Sequence, residues 1–183
     1  MNPKAPIPVN LITGFLGVGK TTAIRHLLTR HPRGERWAVL VNEYGEVGVD
    51  GTLLADQDVV VQEVAGGCLC CVAAPAFTTG LNRLIRQYRP DRILIEPSGL
   101  GHPAQVLDTL CGPLYTNVLD VRATVCLIDA RHLVSARHRE HPNFQDQIHL
   151  SDVLVANKTD QYADVDQKAF EAFALTLRPP KLK

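Results

Sequence analysis

The chain has 183 residues, 45% of them hydrophobic, which suits one domain with a sizeable buried core. Its 19 lysines and arginines balance its 19 aspartates and glutamates. This balance argues against a nucleic-acid-binding protein and against a membrane-surface protein, because both classes depend on a basic face.

A glycine-rich segment follows the first predicted strand, residues 9–12, and precedes a predicted helix at residues 21–30. Residues 14–21 have the spacing G-x-x-x-x-G-K-[ST] of a phosphate-binding loop, in which Lys20 would reach the β and γ phosphates and Thr21 would offer a hydroxyl to Mg²⁺. The glycines let backbone N–H groups approach phosphate oxygens. We predict nucleotide contacts at Gly14, Gly17, Val18, Gly19, Lys20, Thr21 and Thr22. The alternative is an ordinary glycine-rich turn, and the loop alone does not choose between ATP and GTP.

A polar loop follows the next predicted strand, residues 37–41. It carries Glu43, Glu46 and Asp50 among several glycines. Most acids in such loops are simply solvated. Among the three, we predict that Glu43 belongs to the magnesium shell.

Three cysteines lie close together after the predicted strand at residues 59–62: Cys68, Cys70 and Cys71. Thiolates are soft ligands that suit Zn²⁺. In an extended chain Cys71 would face away from the other two, so coordination by all three requires a turn, whereas coordination by two does not. The fourth ligand of a tetrahedral site would be Glu46, a histidine, or an open position for water or a partner's group. The alternatives are small buried residues at a tight junction or a redox pair.

Glu96 ends the predicted strand at residues 92–96, with Gly99 three residues later. A carboxylate at that strand end would hold Mg²⁺ through water or orient an attacking water. The alternative is a helix cap or a surface carboxylate. Helices are predicted on either side of this strand, at residues 76–88 and 104–110.

Two more strands are predicted at residues 123–128 and 152–156, and the second runs into Asn157, Lys158 and Asp160. The Asp160 carboxylate would accept two hydrogen bonds from the N1–H and the exocyclic amine of guanine, and adenine offers no such pair of donors on that edge. These residues therefore favour GTP, with Asn157 and Lys158 as further contacts. The alternative is a cap of the helix predicted at residues 165–177.

The alternation of strands and helices predicts an α/β fold, a mostly parallel sheet with helices on both faces and a ligand at the carboxyl ends of the strands. Three segments are expected to be loops on that edge: residues 97–103, 111–119 and 131–147. Asp129 is either at the functional edge or a turn residue. His132, His138 and His141 are expected to be surface residues, with transient metal contact as the alternative.

The longest apolar stretches are far shorter than a membrane span, and residues 1–8 lack the apolar segment of a signal peptide. We therefore expect a cytoplasmic protein without membrane or nucleic-acid partners. In a reducing compartment, the five cysteines indicate metal binding or reactivity rather than a disulfide framework.

Five motifs occur in this order: the phosphate loop at residues 14–22, V-N-E-Y-G-E-V-G-V-D at 41–50, G-C-L-C-C at 67–71, I-E-P-S-G at 95–99 and N-K-T-D at 157–160. Together they resemble the CobW-type metal-handling GTPases, and within them the YeiR-type zinc-binding GTPases. The resemblance implies a P-loop NTPase fold with Cys68, Cys70 and Cys71 as the metal motif. It also implies that Glu43, Glu46 and Asp50 lie in the first switch, near Mg²⁺ and the γ phosphate.

The function expected from this resemblance is hydrolysis of GTP to GDP and phosphate, coupled to metal binding or to delivery to a client metalloprotein. The expected cofactors are GTP, Mg²⁺ and Zn²⁺, with Co²⁺ or Ni²⁺ as alternatives to Zn²⁺. The chain is expected to act either alone or as an oligomer. No obvious glutamine positions the attacking water, so slow turnover is expected.

The resemblance runs from about residue 9 to residue 160, and residues 1–183 are expected to form one such GTPase domain. The C-terminal end of that domain and the usual C-terminal domain are expected to be missing. Two other functions remain open: a P-loop ATPase or kinase, and a zinc buffer or sensor that does not depend on nucleotide.

Overall fold

One parallel sheet organises the part of the chain that the computed structural model describes, residues 5–41, 58–64 and 74–182. Its strands are β1 (Ile7–Thr13), β2 (Trp37–Val41), β3 (Val59–Glu63), β4 (Arg92–Glu96), β5 (Leu119–Val121), β6 (Val125–Ile128) and β7 (Val153–Ala156). The strand order is β3-β2-β4-β1-β6-β7, with β5 paired to the first half of β1. Every pairing is parallel. This confirms the predicted parallel sheet.

Helices connect the strands and cover the sheet. They are α1 (Lys20–Leu28), α2 (Ala74–Tyr88), α3 (Pro103–Leu110), α4 (Ala136–Arg139), α5 (Pro142–His149) and α6 (Asp164–Thr176), with short 3-10 helices at Ala130–Val134 and Thr159–Gln161. No helix in the described ranges combines the length and the apolar character needed to cross a membrane.

Alternate residues of the central strands bury opposite faces, which explains the continuous apolar runs. In β4, Ile93 and Ile95 belong to the core cluster that contains α2 and α3, whereas Leu94 belongs to the cluster that contains α1. Burial of each such side chain contributes about 1.5–3 kcal/mol. The helices therefore lie on both faces, as predicted.

The prediction of a loop over residues 131–147 is wrong. This segment contains most of the 3-10 helix Ala130–Val134, all of α4 and most of α5, and α5 buries Phe144 and Ile148 against β6, β7 and α6. Phe144 and Ile148 are four residues apart, so they share one face of α5. Pro142 occupies the first turn, where a missing N–H costs nothing.

Candidate functional site

The candidate residues lie at the carboxyl ends of adjacent strands. The phosphate-loop sequence follows β1, Glu96 ends β4, Asp129 follows β6 and Asn157 follows β7. Because these four strands are neighbours and parallel, their ends meet at one edge of the sheet. This edge is where open α/β sheets bind ligands.

The loop after β1 is built from backbone in conformations that favour glycine. Gly14, Gly17 and Gly19 have φ of 142°, 69° and 93°. A Cβ atom on Gly14 would lie 2.5 Å from the Leu127 carbonyl oxygen, and one on Gly19 would lie 2.7 Å from Nδ2 of Asn157. The loop then enters the N-terminus of α1, where unsatisfied N–H groups and the helix dipole favour an anion.

The predicted nucleotide contacts in this loop differ in their surroundings. Val18 is fully buried in the core that contains α1, so its side chain packs beneath the loop. Thr22 is exposed. Lys20 is 5% exposed, and its Nζ lies 3.4 Å from the Phe15 carbonyl oxygen. The ammonium is therefore held inside the loop.

Thr21 and Glu96 are brought together across the site. The Thr21 hydroxyl donates a hydrogen bond of 2.8 Å to Oε1 of Glu96, which is 1% exposed. A hydroxyl and a carboxylate oxygen are the hard ligands that Mg²⁺ prefers. The pair therefore fits a magnesium site next to the phosphate loop.

Asn157 and Lys158 hold the phosphate loop from the other side. Nδ2 of Asn157 donates to the Val18 carbonyl oxygen at 2.8 Å, and Nζ of Lys158 donates to the Gly17 carbonyl oxygen at 2.6 Å. Asp160 follows in the 3-10 helix Thr159–Gln161 and is exposed. The carboxylate predicted to read guanine is thus open to a ligand and lies close in sequence to groups that contact the loop.

Asp129 lies at the functional edge, where its side chain caps the 3-10 helix Ala130–Val134. It is buried, it accepts hydrogen bonds from Nε and Nη2 of Arg131 at 2.8 and 2.6 Å, and its Oδ2 lies 3.7 Å from Nζ of Lys158. The hydrogen bonds from the Arg131 guanidinium hold the pKa of this carboxyl below its ordinary value. Asp129 therefore stays ionised and attracts Lys158.

Tyr162 connects the ends of β6 and β7, and no local feature of the sequence indicates this role. Its hydroxyl accepts the N–H of Ala130 at 2.7 Å and donates to the Asn157 carbonyl oxygen. Burial raises the pKa of the hydroxyl. This contact fixes the backbone that presents Asn157 to the loop.

The three histidines of the 131–147 segment are partly buried, so they belong neither to the core nor to the fully exposed surface. The ring of Phe15, from the phosphate loop, meets the rings of His141 and His138 edge-on at centroid distances of 4.9 and 5.9 Å. His132 stacks on His138 with centroids 4.1 Å apart and planes 1° from parallel. The lone pairs of ring nitrogens lie in the planes of the rings, so two parallel stacked rings do not aim them at one ion. Within the described ranges, no cluster of three or more metal-binding side chains occurs.

Several predicted residues lie outside the described ranges: Glu43, Glu46, Asp50, Cys68, Cys70 and Cys71. The strands that precede these two segments are described. Val41 pairs with Glu96 in the sheet, and the N–H of Val64 donates to the Val41 carbonyl oxygen at 2.9 Å. The chain therefore leaves β2 and β3 at the edge where Glu96 meets Thr21.

Comparison with known proteins identifies relatives over almost the whole chain. The sequence model of the family described as CobW/HypB/UreG, nucleotide-binding domain, matches residues 8–181. The zinc chaperone YeiR of Escherichia coli strain K12 is 52% identical over 162 residues, which cover 88% of this chain and 49% of the relative. The zinc chaperone CobW of Pseudomonas aeruginosa is 34% identical over 192 residues, 88% of this chain and 51% of the relative. The chain spans about half the length of these curated relatives.

Solved structures show the same fold. The Zn(II)-bound YjiA GTPase of E. coli matches with a TM-score of 0.66 and 27% identity, over 95% of this chain and 55% of that one. HypB from Helicobacter pylori in complex with nickel matches with the same TM-score at 15% identity, over 96% of this chain and 76% of that one, and this likeness concerns the fold alone.

Proposed function

The chain belongs to the CobW/HypB/UreG family of nucleotide-binding domains, and on that basis we propose that it is a GTPase that binds a transition metal, zinc above all. GTP would be hydrolysed to GDP and phosphate, and the nucleotide state would alter metal affinity or release to a client metalloprotein. Residues 1–183 would act as one GTPase domain, which the single sheet of the described ranges supports.

One observation carries the choice of a guanine nucleotide. Asn157 and Lys158 donate to the carbonyl oxygens of Val18 and Gly17, so the segment predicted to read the base is fixed against the loop predicted to bind the phosphates. Asp160 is exposed just beyond them. A GTP molecule with its phosphates at the start of α1 would place the guanine edge at this carboxylate.

The described residues support distinct roles in hydrolysis. Lys20 and the loop amides would stabilise charge that develops on the γ phosphate, while Thr21 and Glu96 would hold Mg²⁺ with Glu43 as a further candidate. When bound, Mg²⁺ would neutralise phosphate charge. Residues 97–101 contain no glutamine to orient water, so slow turnover is expected unless a partner or the metal stimulates it.

Zinc is the proposed cargo because two relatives are named zinc chaperones and because Cys68, Cys70 and Cys71 offer thiolates. Glu46 is the candidate fourth ligand. Co²⁺ and Ni²⁺ are the alternatives, since thiolates bind them as well. The strands that precede these two segments, β2 and β3, end at the same edge of the sheet as Glu96, and this supports coupling between nucleotide and metal.

The coupling is tested by titrating zinc into the protein with a non-hydrolysable GTP analogue, with GDP or without nucleotide. We expect the zinc affinity to differ between nucleotide states and to collapse in Cys70→Ala. Cys111→Ala is the matched control, because Cys111 is an exposed free cysteine at the end of α3. Equal zinc affinity in all three states would favour a nucleotide-independent zinc buffer or sensor.

Nucleotide choice is tested by competition between GTP and ATP. We expect GTP to bind more tightly than ATP. We expect Asp160→Asn to prefer xanthosine triphosphate instead of GTP, because the amide donor of asparagine matches the extra carbonyl of xanthine. Asp164→Asn, at the exposed start of α6, is the control and should leave the preference unchanged. Preference for ATP would indicate a P-loop ATPase or kinase instead.

A further inference from the structure

One face of α5 holds the loop that follows β4. Nε2 of Gln147 donates to the Gly99 carbonyl oxygen at 2.9 Å, and Nδ2 of Asn143 donates to the Leu100 carbonyl oxygen at 2.6 Å. Residues 143 and 147 are four apart, so they share one face of the helix. The loop itself is a turn, closed by the N–H of Gly101, which donates to the Ser98 carbonyl oxygen at 2.8 Å. Gln147 and Asn143 therefore bind the carbonyls of the two central residues of that turn.

Burial shows which of these contacts dominates. Gln147 is 0% exposed, and its other amide atom, Oε1, has no hydrogen-bond partner in the described part of the chain. A third contact on the same face, between His102 and Asp146 at 3.6 Å, joins two well-exposed side chains and contributes little. A leucine or methionine would fill the core at position 147 without an unsatisfied oxygen. The amide at position 147 is therefore needed for the hydrogen bond to the Gly99 carbonyl oxygen and not for packing.

Gly99 in turn lies against the phosphate loop. A Cβ atom there would stand 3.0 Å from Nζ of Lys20 and 3.0 Å from the backbone nitrogen of Leu16. The turn thus fits between Gln147 on one side and the lysine of the phosphate loop on the other. A shift of the turn by a fraction of an ångström would change its distance from Lys20.

We propose that Gln147 is a positioning residue for GTP hydrolysis, which holds the turn of residues 98–101 against the phosphate loop through the Gly99 carbonyl. Asn143 assists through Leu100. This inference rests on the proposed GTPase function and extends it to a residue on α5. His141, which caps the N-terminus of this helix, contacts the ring of Phe15 in the phosphate loop.

The decisive variant is Gln147→Met, which keeps the side-chain volume and removes the hydrogen bond. We expect the single-turnover rate of GTP hydrolysis to fall about tenfold, the effect of losing one hydrogen bond in the reacting arrangement. The dissociation constant for GDP should stay within about twofold, because the contacts of Asn157 and Lys158 with the phosphate loop are unchanged. Gln145→Met is the matched control: the same substitution on the same helix, at an exposed side chain that donates to the Arg139 carbonyl oxygen.

A second variant and a second measurement test the same contact independently. Asn143→Ala, at a partly buried position, should slow hydrolysis about threefold. Hydrogen exchange of residues 98–102 with the GTP analogue bound should be faster in Gln147→Met than in the wild type, with the exchange of β7 unchanged.

The possible failures are distinguishable. If the wild type hydrolyses GTP and Gln147→Met hydrolyses it equally fast, the inference is overturned and the proposed function stands. If hydrolysis, GDP affinity and thermal stability all fall together, Gln147 has only a structural role and the inference is overturned as well. If the wild type neither binds nor hydrolyses GTP, the proposed function fails and takes this inference with it.

Discussion

Replacing Gly14 or Gly17 with alanine tests the geometry of the phosphate loop, because the two positions differ in the space around them. Gly14 has φ of 142°, and an added Cβ would lie 2.5 Å from the Leu127 carbonyl oxygen and 2.9 Å from Cγ2 of Val18. The Leu127 oxygen belongs to the backbone of β6 and cannot move without disturbing the sheet. Gly17 differs: its φ is 69°, and an added Cβ would meet nothing within 4 Å.

The expected losses of unfolding free energy follow from these two environments. Gly17→Ala places alanine in the left-handed region at a cost of about 1–2 kcal/mol, and the lower entropy of the unfolded chain offsets about 0.4–1 kcal/mol of this. Gly14→Ala combines backbone strain of about 1–3 kcal/mol with overpacking of about 1–3 kcal/mol. We expect a loss of roughly 1 kcal/mol for Gly17→Ala and roughly 4 kcal/mol for Gly14→Ala, out of a total of about 5–15 kcal/mol.

Urea unfolding of the nucleotide-free protein, followed by circular dichroism, measures both losses. Gly34→Ala is the control, because Gly34 also has a positive φ, 82°, and open space around it, but lies between α1 and β2. It should match Gly17→Ala in stability. Equal losses for Gly14→Ala and Gly17→Ala, at an unchanged dependence on urea, would refute the close approach of the loop to β6.

Three further predictions concern other contacts of the site. Thr21→Val removes the hydroxyl that donates to Glu96, and we expect Mg²⁺-dependent GTP hydrolysis to fall at least about tenfold; a full rate at saturating Mg²⁺ would contradict the role of Thr21. Tyr162→Phe leaves the buried N–H of Ala130 without its acceptor and should lower the unfolding free energy by about 1–3 kcal/mol, so an unchanged Tm would be evidence against this contact. Burial lowers the pKa of His132, so the unfolded chain binds a proton that the folded chain resists, and stability should fall as the pH drops below about 6.5. His132→Gln should flatten the decline of Tm between about pH 7 and pH 5. Identical declines in both proteins would show that His132 does not cause the loss of stability.

The central strands were predictable because burial on both faces leaves a simple pattern. The predicted bounds of β2 and β4 agree with the structure to the residue, since continuous runs such as Ile93, Leu94 and Ile95 are typical of a parallel strand covered on both sides. The phosphate loop was predictable for a related reason. Its chemistry depends on consecutive residues, and their spacing is visible in the sequence.

The segment at residues 131–147 was not predictable in the same way. Its helices α4 and α5 have 4 and 8 residues, too few for a clear period, and histidines and arginines dilute the apolar positions. Strand β5 has 3 residues and exists through its pairing with β1. Short elements of this kind take their structure from tertiary contacts rather than from local preference.

The contacts that arrange the site were also hidden from the sequence. Gln147 and Gly99 are 48 positions apart, and Tyr162 and Ala130 are 32 apart. Each pair joins a side chain to backbone, which leaves no requirement on the partner's residue type and therefore no motif. The assignments of Glu43 to magnesium and of Cys68, Cys70 and Cys71 to a transition metal stay predictions.

The hydrogen bond from Lys158 to the Gly17 carbonyl oxygen joins residues 141 positions apart. During synthesis, this bond can form only after the ribosome has added Lys158. At about 5–20 residues per second, a ribosome needs roughly 7–28 seconds to advance from one to the other. Until then the phosphate loop lacks the side chains that hold it. Nucleotide would consequently stabilise the finished domain rather than its early intermediates, since a ligand favours only the state that presents its site.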